Sequence, residues 1–371
     1  MNMNEDLNLK AKRYSSIKYC LAISGVIYLL ILLFLFQASG TSRLLKDRIS
    51  FLVSQNYLVI FLYGLAVFII YYILDFPLNL YRSYSLEHKF QLSRQEIKDW
   101  FLDQIKAGII TFLIFVILLE AFYFILNRSF NNWWLWVSIF WIFFSLILAR
   151  LMPILIIPLF FKYRALSDNQ LRERILNLAQ KMRVKILDVF EIDFSKKTLK
   201  ANAAFVGWGE TKRVILADTL KDKYTYDEIE VILAHEFAHY RLKHLLKLIF
   251  INSIAIILSF YLIYRTSNYV LGLFGLSSLS DISGLPIVLM YFVILGMITQ
   301  PLENYISRGF ERNADLLALK TTDLKEAFIS MMEKLTFQNL ADRNPSRIIK
   351  IFFFDHPPID ERIEMAKKFK F

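Results

Sequence analysis

One cysteine, Cys20, is all the chain has, so no intrachain disulfide can form and a four-cysteine metal site is excluded. Glycine (11) and proline (8) are scarce, and charged residues make up only 21% of 371 residues. With 56% of residues hydrophobic, these shortages exclude a disordered chain, a collagen-like fibre and a small disulfide scaffold. Histidine is the rarest titratable residue after cysteine, with five copies, so any clustering of histidines carries information. What is abundant is apolar and aromatic surface. Mean hydropathy is +0.42, and the hydrophobic share exceeds the roughly 45–50% of soluble domains. The net charge of +11 suits either nucleic acid or anionic lipid, and its distribution decides between them.

A hydrocarbon core about 30 Å thick is crossed by roughly 20 apolar helical residues. Six stretches qualify: Tyr19–Gln37, Leu58–Ile73, Ala107–Leu126, Trp133–Leu159, Leu248–Tyr264 and Pro286–Thr299. The basic leader and long apolar region of the first read as a retained anchor rather than a cleaved signal. Trp133, Trp134 and Trp136 read as an interfacial belt, and Arg150 with Pro153 predicts a kink in the fourth span or its emergence into an aqueous cavity. Tyr269–Leu279 is too short to span and reads as a re-entrant or surface connection.

Six spans place both termini on one side. That side carries 37 of the 44 Lys and Arg residues, against 5 on the other. By the positive-inside rule the larger loops are cytoplasmic, and lipid headgroups account for the basic excess without nucleic acid.

Between the fourth and fifth spans the pattern changes. Asn169–Arg183 has helical apolar spacing, while Ile186–Ile192, Ala203–Trp208 and Arg213–Ala217 read as short strands. Thr225-Tyr-Asp-Glu228 fits a capping box opening a helix that runs on, almost unbroken, into the fifth span. The expected fold is an α-helical polytopic membrane protein of about six transmembrane helices with an inserted α+β unit.

That helix carries His235-Glu236-Phe237-Ala238-His239. Residues four apart share a helix face, so both imidazoles can hold one metal ion. Glu236 can hold a water and take its proton, and a cation makes that proton easier to remove. Coincidence would produce such a pattern in roughly one chain in a hundred. His244 would lie about 140° further round an ideal helix than His239 and point away, as a polar residue near the membrane interface. After the sixth span, Glu311 and Asp315 sit one turn apart. Spacing leaves two readings open for them. Glu311 could complete the coordination with Asp315 accepting a ligand histidine's other N–H, or both could form a solvated acidic face paired with Arg308 and Arg312.

Taken together these residues resemble the membrane-integrated zinc metalloproteases typified by the type I CAAX prenyl protease, with the bacterial heat-shock protease HtpX as a shorter relative. The resemblance runs from about Tyr81 to Arg362. It rests on Asn202-Ala-Ala-Phe205, Arg213-Val-Ile-Leu-Ala-Asp-Thr-Leu220, Ala234-His-Glu-Phe-Ala-His239, Ser307-Arg-Gly-Phe-Glu-Arg-Asn-Ala-Asp315 and His356-Pro-Pro-Ile-Asp-Glu-Arg362. It implies one Zn2+ per chain held by His235, His239 and Glu311, with Glu236 as catalytic base and Asp315 supporting a ligand histidine. It also implies that Asn202 and Ala203 lie on an edge strand that pairs with substrate, and that His356 and Arg362 approach the site. For that last pair the sequence alone favours a turn and a helix cap. The family usually has seven spans, one more than are found here.

The resulting organisation has four parts. Residues 1–160 form a membrane region of four spans, and 161–247 a cytoplasmic α+β zincin-like catalytic unit with the H-E-x-x-H helix. Residues 248–300 form two further spans, and 301–371 a helical region supplying the third zinc ligand. The expected function is zinc-dependent endopeptidase action on membrane-associated peptides or proteins, lipidated or not, by a multi-pass protein in contact with the lipid bilayer. A bacterial inner membrane is favoured over the endoplasmic reticulum, with catalysis on the cytoplasmic side. No nucleic-acid partner is expected, and the sequence carries no signal for oligomeric state. The competing class is a non-catalytic zinc-containing transporter or scaffold, which would use Glu120 and Arg150 within the spans.

Overall fold

The computed structural model describes residues 3–129, 131–207 and 212–370, with the side chains of residues 3–5 left undescribed. Among the described residues, six helices are long and apolar enough to cross a membrane. They are α1 (Met3–Ala38), α3 (Asn56–Leu80) with the turns that prolong it, α5 (Ile97–Arg128), α6 (Trp133–Leu151), α11 (His244–Leu273) and α12 (Leu285–Thr322). Between α1 and α3 lies an amphipathic helix, α2 (Thr41–Leu52), and a single turn, α4 (Leu86–Lys89), follows α3. The fourth span leaves α-geometry at Met152–Ile156 before a short α7 (Ile157–Phe160). Pro153 lacks the N–H that would continue the α-ladder, so the predicted kink takes the form of a π-turn.

The inserted unit is a four-stranded sheet with helices against it. Its strands are β1 (Tyr163–Ala165), β2 (Asp188–Ile192), β3 (Ala203–Val206) and β4 (Arg213–Ala217), in the order β1-β2-β4-β3. β2 and β4 run parallel, with Phe190 opposite Ile215, and the outer pairs are antiparallel. β3 is therefore an edge strand. It spans four residues, and Trp208 of the predicted strand lies outside the described residues. The helices here are α8 (Asn169–Lys181), the short α9 (Asp218–Lys221) and α10 (Tyr226–Arg241). Leu171, Ile175 and Leu178 on α8, Val214 and Leu216 on β4, and Ile229 and Leu233 on α10 fill one core.

Beyond the spans come α13 (Lys325–Asn339), α14 (Arg347–Phe353) and α15 (Ile359–Lys368). Phe328 and Met331 of α13 and Ile363 of α15 join the same core, so the tail packs on the inserted unit. The N-terminal part of α1 is tied down as well. Tyr14 bonds Glu87 (2.5 Å), and Lys200 bonds both Tyr14 (3.0 Å) and Glu87 (2.8 Å).

Two expectations need correction. Of Tyr269–Leu279, expected as a re-entrant or surface connection, the part to Leu273 is instead the end of α11, and only the stretch after it, with Gly275 at φ +67°, is a connection. The catalytic helix does not run unbroken into the fifth span either. Lys243 adopts a left-handed conformation (φ 56°, ψ 35°) that ends α10 and starts α11 in a new direction.

Candidate active site

The site is built where α10 crosses α12. Thr225 and Glu228 form the predicted reciprocal cap, with Thr225 N–H donating to Glu228 Oε2 (2.8 Å) and Glu228 N–H to Thr225 Oγ1 (3.3 Å). Ser330 and Lys334 of α13 also bond the Glu228 carboxylate, at 2.7 Å each, so the helix start is anchored to the tail. Burial pushes the Glu228 carboxyl up, yet these donors more than offset it and hold it below its usual range. Facing α10 is α12, one continuous helix that carries both the last apolar stretch and the segment around Glu311. No long loop intervenes, so the position of Glu311 follows from the packing of the membrane helices.

Here the structure brings the predicted residues together. His235 Nε2 lies 3.1 Å from His239 Nε2 and 3.1 Å from Glu311 Oε2, and His239 Nε2 lies 3.1 Å from Glu311 Oε1. The side chains of His235, His239 and Glu311 form the one group of three or more potential metal donors among the described residues. Asp315 Oδ1 accepts from His235 Nδ1 at 2.8 Å, which leaves the lone pair of Nε2 facing the centre. Two such nitrogens and a carboxylate, mutually 3.1 Å apart, repel one another unless a cation lies among them. Glu311 Oε2 is buried with no well-aligned hydrogen bond among the described residues. Tetrahedral coordination with metal–nitrogen distances near 2.0–2.1 Å gives ligand separations of about 3.3 Å, so the donor set fits a divalent metal.

Without a metal, a proton takes the cation's place. Burial alone would push the His235 imidazole down, but its bonds to Asp315 and Glu311 win, and its pKa is pushed up to about 10. Burial pushes the Glu236 carboxyl above its usual range, partly offset by the nearby histidines. A carboxylate raised in this way is a better proton acceptor at neutral pH than an exposed one.

The C-terminal element also reaches the site. His356 Nε2 lies 3.4 Å from Glu311 Oε2, and its Nδ1 lies 2.8 Å from Asp355 Oδ1. Burial pushes His356 down, but Asp355 and Glu311 outweigh it and the net shift is upward. Arg362 donates from Nε to Asp315 Oδ2 (2.7 Å) and from Nη2 to Asp315 Oδ1 (2.5 Å). A turn and a helix do lie at these positions, as the local pattern reads, but Arg362 is turned inward and buried, while His356 is half exposed with Nε2 toward Glu311. Arg308 donates to the carbonyls of Lys350 (3.0 Å) and Phe354 (2.6 Å), not to the acidic pair. That excludes the solvated-face reading for Glu311 and Asp315, which are 5% and 0% exposed. Asp355 was not singled out from the sequence, although its place beside His356 was a usable signal.

Ala203 opens β3 at the sheet edge, with Asn202 just before it. Asn202 supplies its carbonyl to Ala217 N–H (3.0 Å) and its side chain is exposed. Phe205 of β3 packs edge-on against Phe237 (5.3 Å) and Tyr240 (5.6 Å), which seats the strand on α10.

His244 requires a correction. The ideal-helix projection assumed no break, but the left-handed Lys243 swings the chain so that His244 turns back beneath His239. Its Nδ1 is 3.0 Å from His239 Nδ1, and its ring stacks on Phe310.

Comparison with known proteins agrees with this architecture. The peptidase family M48 pattern matches residues 165–370. The pattern described as CAAX prenyl protease N-terminal, five membrane helices, matches residues 2–162, where this chain has four candidate spans and the amphipathic α2. An uncharacterized metalloprotease of Bacillus subtilis, YhfN, is 30% identical over 362 residues, spanning 96% of this chain and 85% of that protein. CAAX prenyl protease 1 of Saccharomyces cerevisiae is 29% identical, covering 78% of this chain and 68% of its own length. The crystal structure of Ste24p from S. mikatae superposes with a TM-score of 0.83 at 25% identity, covering 97% of this chain and 88% of that one. The chain belongs to peptidase family M48, as a membrane-integrated metalloprotease that acts on peptide substrates.

Proposed function

We propose that this protein is a zinc-dependent endopeptidase working at the cytoplasmic face of a bacterial inner membrane, with His235, His239 and Glu311 holding one zinc ion. The observation that carries the reading is the convergence of those three donors beside Glu236, with no fourth protein ligand in the group among the described residues. A structural zinc is normally closed by a fourth protein ligand, so the scaffold reading is disfavoured. A zinc ion bound there would polarise a carbonyl and ease deprotonation of water.

The chain's own residues supply the rest. The outer edge of β3, unpaired among the described residues and beginning at Ala203 beside Asn202, accepts an extended substrate by strand addition. Glu236 takes the proton of the attacking water and returns it to the departing amine, so no net proton is consumed. His356, whose pKa is raised by Asp355 and Glu311 against the effect of burial, stands beside Glu311 and is placed to stabilise negative charge developing on the carbonyl oxygen. Asp315, braced by Arg362, holds His235 in the tautomer that presents Nε2. The basic residues gathered on one side of the spans support cytoplasmic placement, and the Bacillus relative supports a bacterial membrane.

The substrates are peptide segments presented from the membrane. The relatives named as prenyl proteases support lipidated C-termini, whereas a bacterial setting supports unmodified membrane proteins. A farnesylated peptide and an unmodified membrane-protein fragment, supplied in parallel to the lipid-reconstituted protein, test this. Cleavage that a chelator removes and zinc restores supports the reading, and the preferred substrate assigns the class. Cleavage of neither contradicts it.

A further inference from the structure

His235 and His239 meet at the site, but their outer nitrogens are held differently. His235 has a carboxylate behind it, whereas the polar atom behind His239 Nδ1 is another imidazole nitrogen, Nδ1 of His244, at 3.0 Å. His244 is 1% exposed, and its ring lies on that of Phe310 with centroids 4.5 Å apart and planes 11° from parallel. Its other nitrogen, Nε2, is buried with no hydrogen-bond partner among the described residues.

A neutral imidazole has one donor and one acceptor nitrogen. If His239 presents the lone pair of Nε2 to the centre, its proton must sit on Nδ1, and the bond to His244 has only one possible direction. His239 donates and His244 accepts, leaving the His244 proton on Nε2 in apolar surroundings. Burying an unpaired N–H is costly, and nothing else in the packing of His244 calls for a polar ring.

We propose that His244 is a positioning residue, whose Nδ1 accepts the Nδ1–H of His239 and fixes the tautomer and ring plane that present His239 Nε2. This rests on the reading of His239 as a zinc ligand. The arrangement parallels Asp315 behind His235 but adds no charge. The centre already holds two buried carboxylates, Glu311 and Asp315, with Arg362 bonded to one of them. With Glu236 beside them as well, a neutral acceptor orients the second histidine without a further carboxylate. Because His244 opens α11 and stacks on α12, the orientation of His239 is set by two of the membrane-spanning helices.

The test is zinc affinity, measured by chelator competition on the full chain in lipid, with the unfolding temperature of the metal-free protein as control. His244→Phe keeps the stacked ring and His244→Leu a compact apolar group, and both remove the acceptor. Each should weaken zinc binding roughly 10–100-fold. His244→Asn puts an acceptor oxygen where Nδ1 stands and should restore most of the loss. His239→Ala is the reference for a lost ligand and should abolish tight binding. If Phe and Leu bind zinc within about twofold of wild type while His239→Ala does not, the positioning role is wrong and the zinc reading stands. If Asn loses as much as Phe, the effect is one of shape and the proposal is equally overturned. If His239→Ala binds zinc normally, the ligand assignment itself has failed.

Discussion

Arg362 grips Asp315 through two nitrogens, Nε at 2.7 Å from Oδ2 and Nη2 at 2.5 Å from Oδ1, and the same Oδ1 accepts from His235 at 2.8 Å. A residue 47 positions downstream of Asp315 thus determines how a histidine 80 positions upstream is held. All three are buried, at 9%, 0% and 8% exposure, so the pairing cannot be replaced by water.

Arg362→Ala leaves Asp315 buried without its counter-charge, a change that costs about 3–5 kcal/mol in comparable settings. Thermal unfolding in detergent should show a large downward shift for this variant. Arg362→Lys keeps the charge but not the planar fork and should fall between Ala and wild type. Equal stability of all three would mean that the pair contributes nothing.

His356 stands near the carboxylate of Glu311 without closing the donor group, so His356→Ala should spare zinc affinity. It should lower kcat by roughly 10²–10³-fold with a smaller change in KM. Steady-state kinetics together with a zinc titration separate these effects. A rise in KM alone would make His356 a substrate contact rather than a group that acts on developing charge.

The raised pKa of His235 gives zinc binding a pH dependence of definite sign. The metal-free protein keeps the His235 proton up to about pH 10, and zinc must displace it. Affinity should therefore climb with pH, by up to roughly tenfold per unit for one displaced proton, and level off above about 10. The same proton stabilises the metal-free fold, fully below the unfolded histidine pKa near 6.5 and no longer above about 10. Calorimetry in buffers of different ionisation enthalpy should report close to one proton released per zinc at pH 7. Release of none would contradict the bonding described for His235.

What the sequence revealed, and what it hid, follows from the range of the forces involved. The spans were legible because length and apolarity alone dictate them, and the start of α10 because Thr225 and Glu228 satisfy each other's amides locally. The pairing of Glu311 with the histidines was legible only as a possibility, since it depends on α12 packing along α10. β1 was missed because Tyr163–Ala165 is three residues long and owes its form to pairing with Phe190–Ile192. The break after α10 was missed because a left-handed lysine leaves no compositional trace, whereas the glycine at 275 does. His244 was misplaced for that reason alone. By local pattern alone His356 and Arg362 read as a turn and a helix cap, because nothing near them in the chain shows that Asp315 comes within reach of Arg362.

The central claim is that Glu236 acts as a base beside a zinc ion that it does not hold. Glu236→Gln, reconstituted in lipid with one equivalent of zinc, tests it by measuring bound zinc and peptide cleavage on the same sample. The account predicts zinc at wild-type stoichiometry with cleavage lost, by a factor of at least about 10². Cleavage at the wild-type rate, with zinc bound, would contradict it.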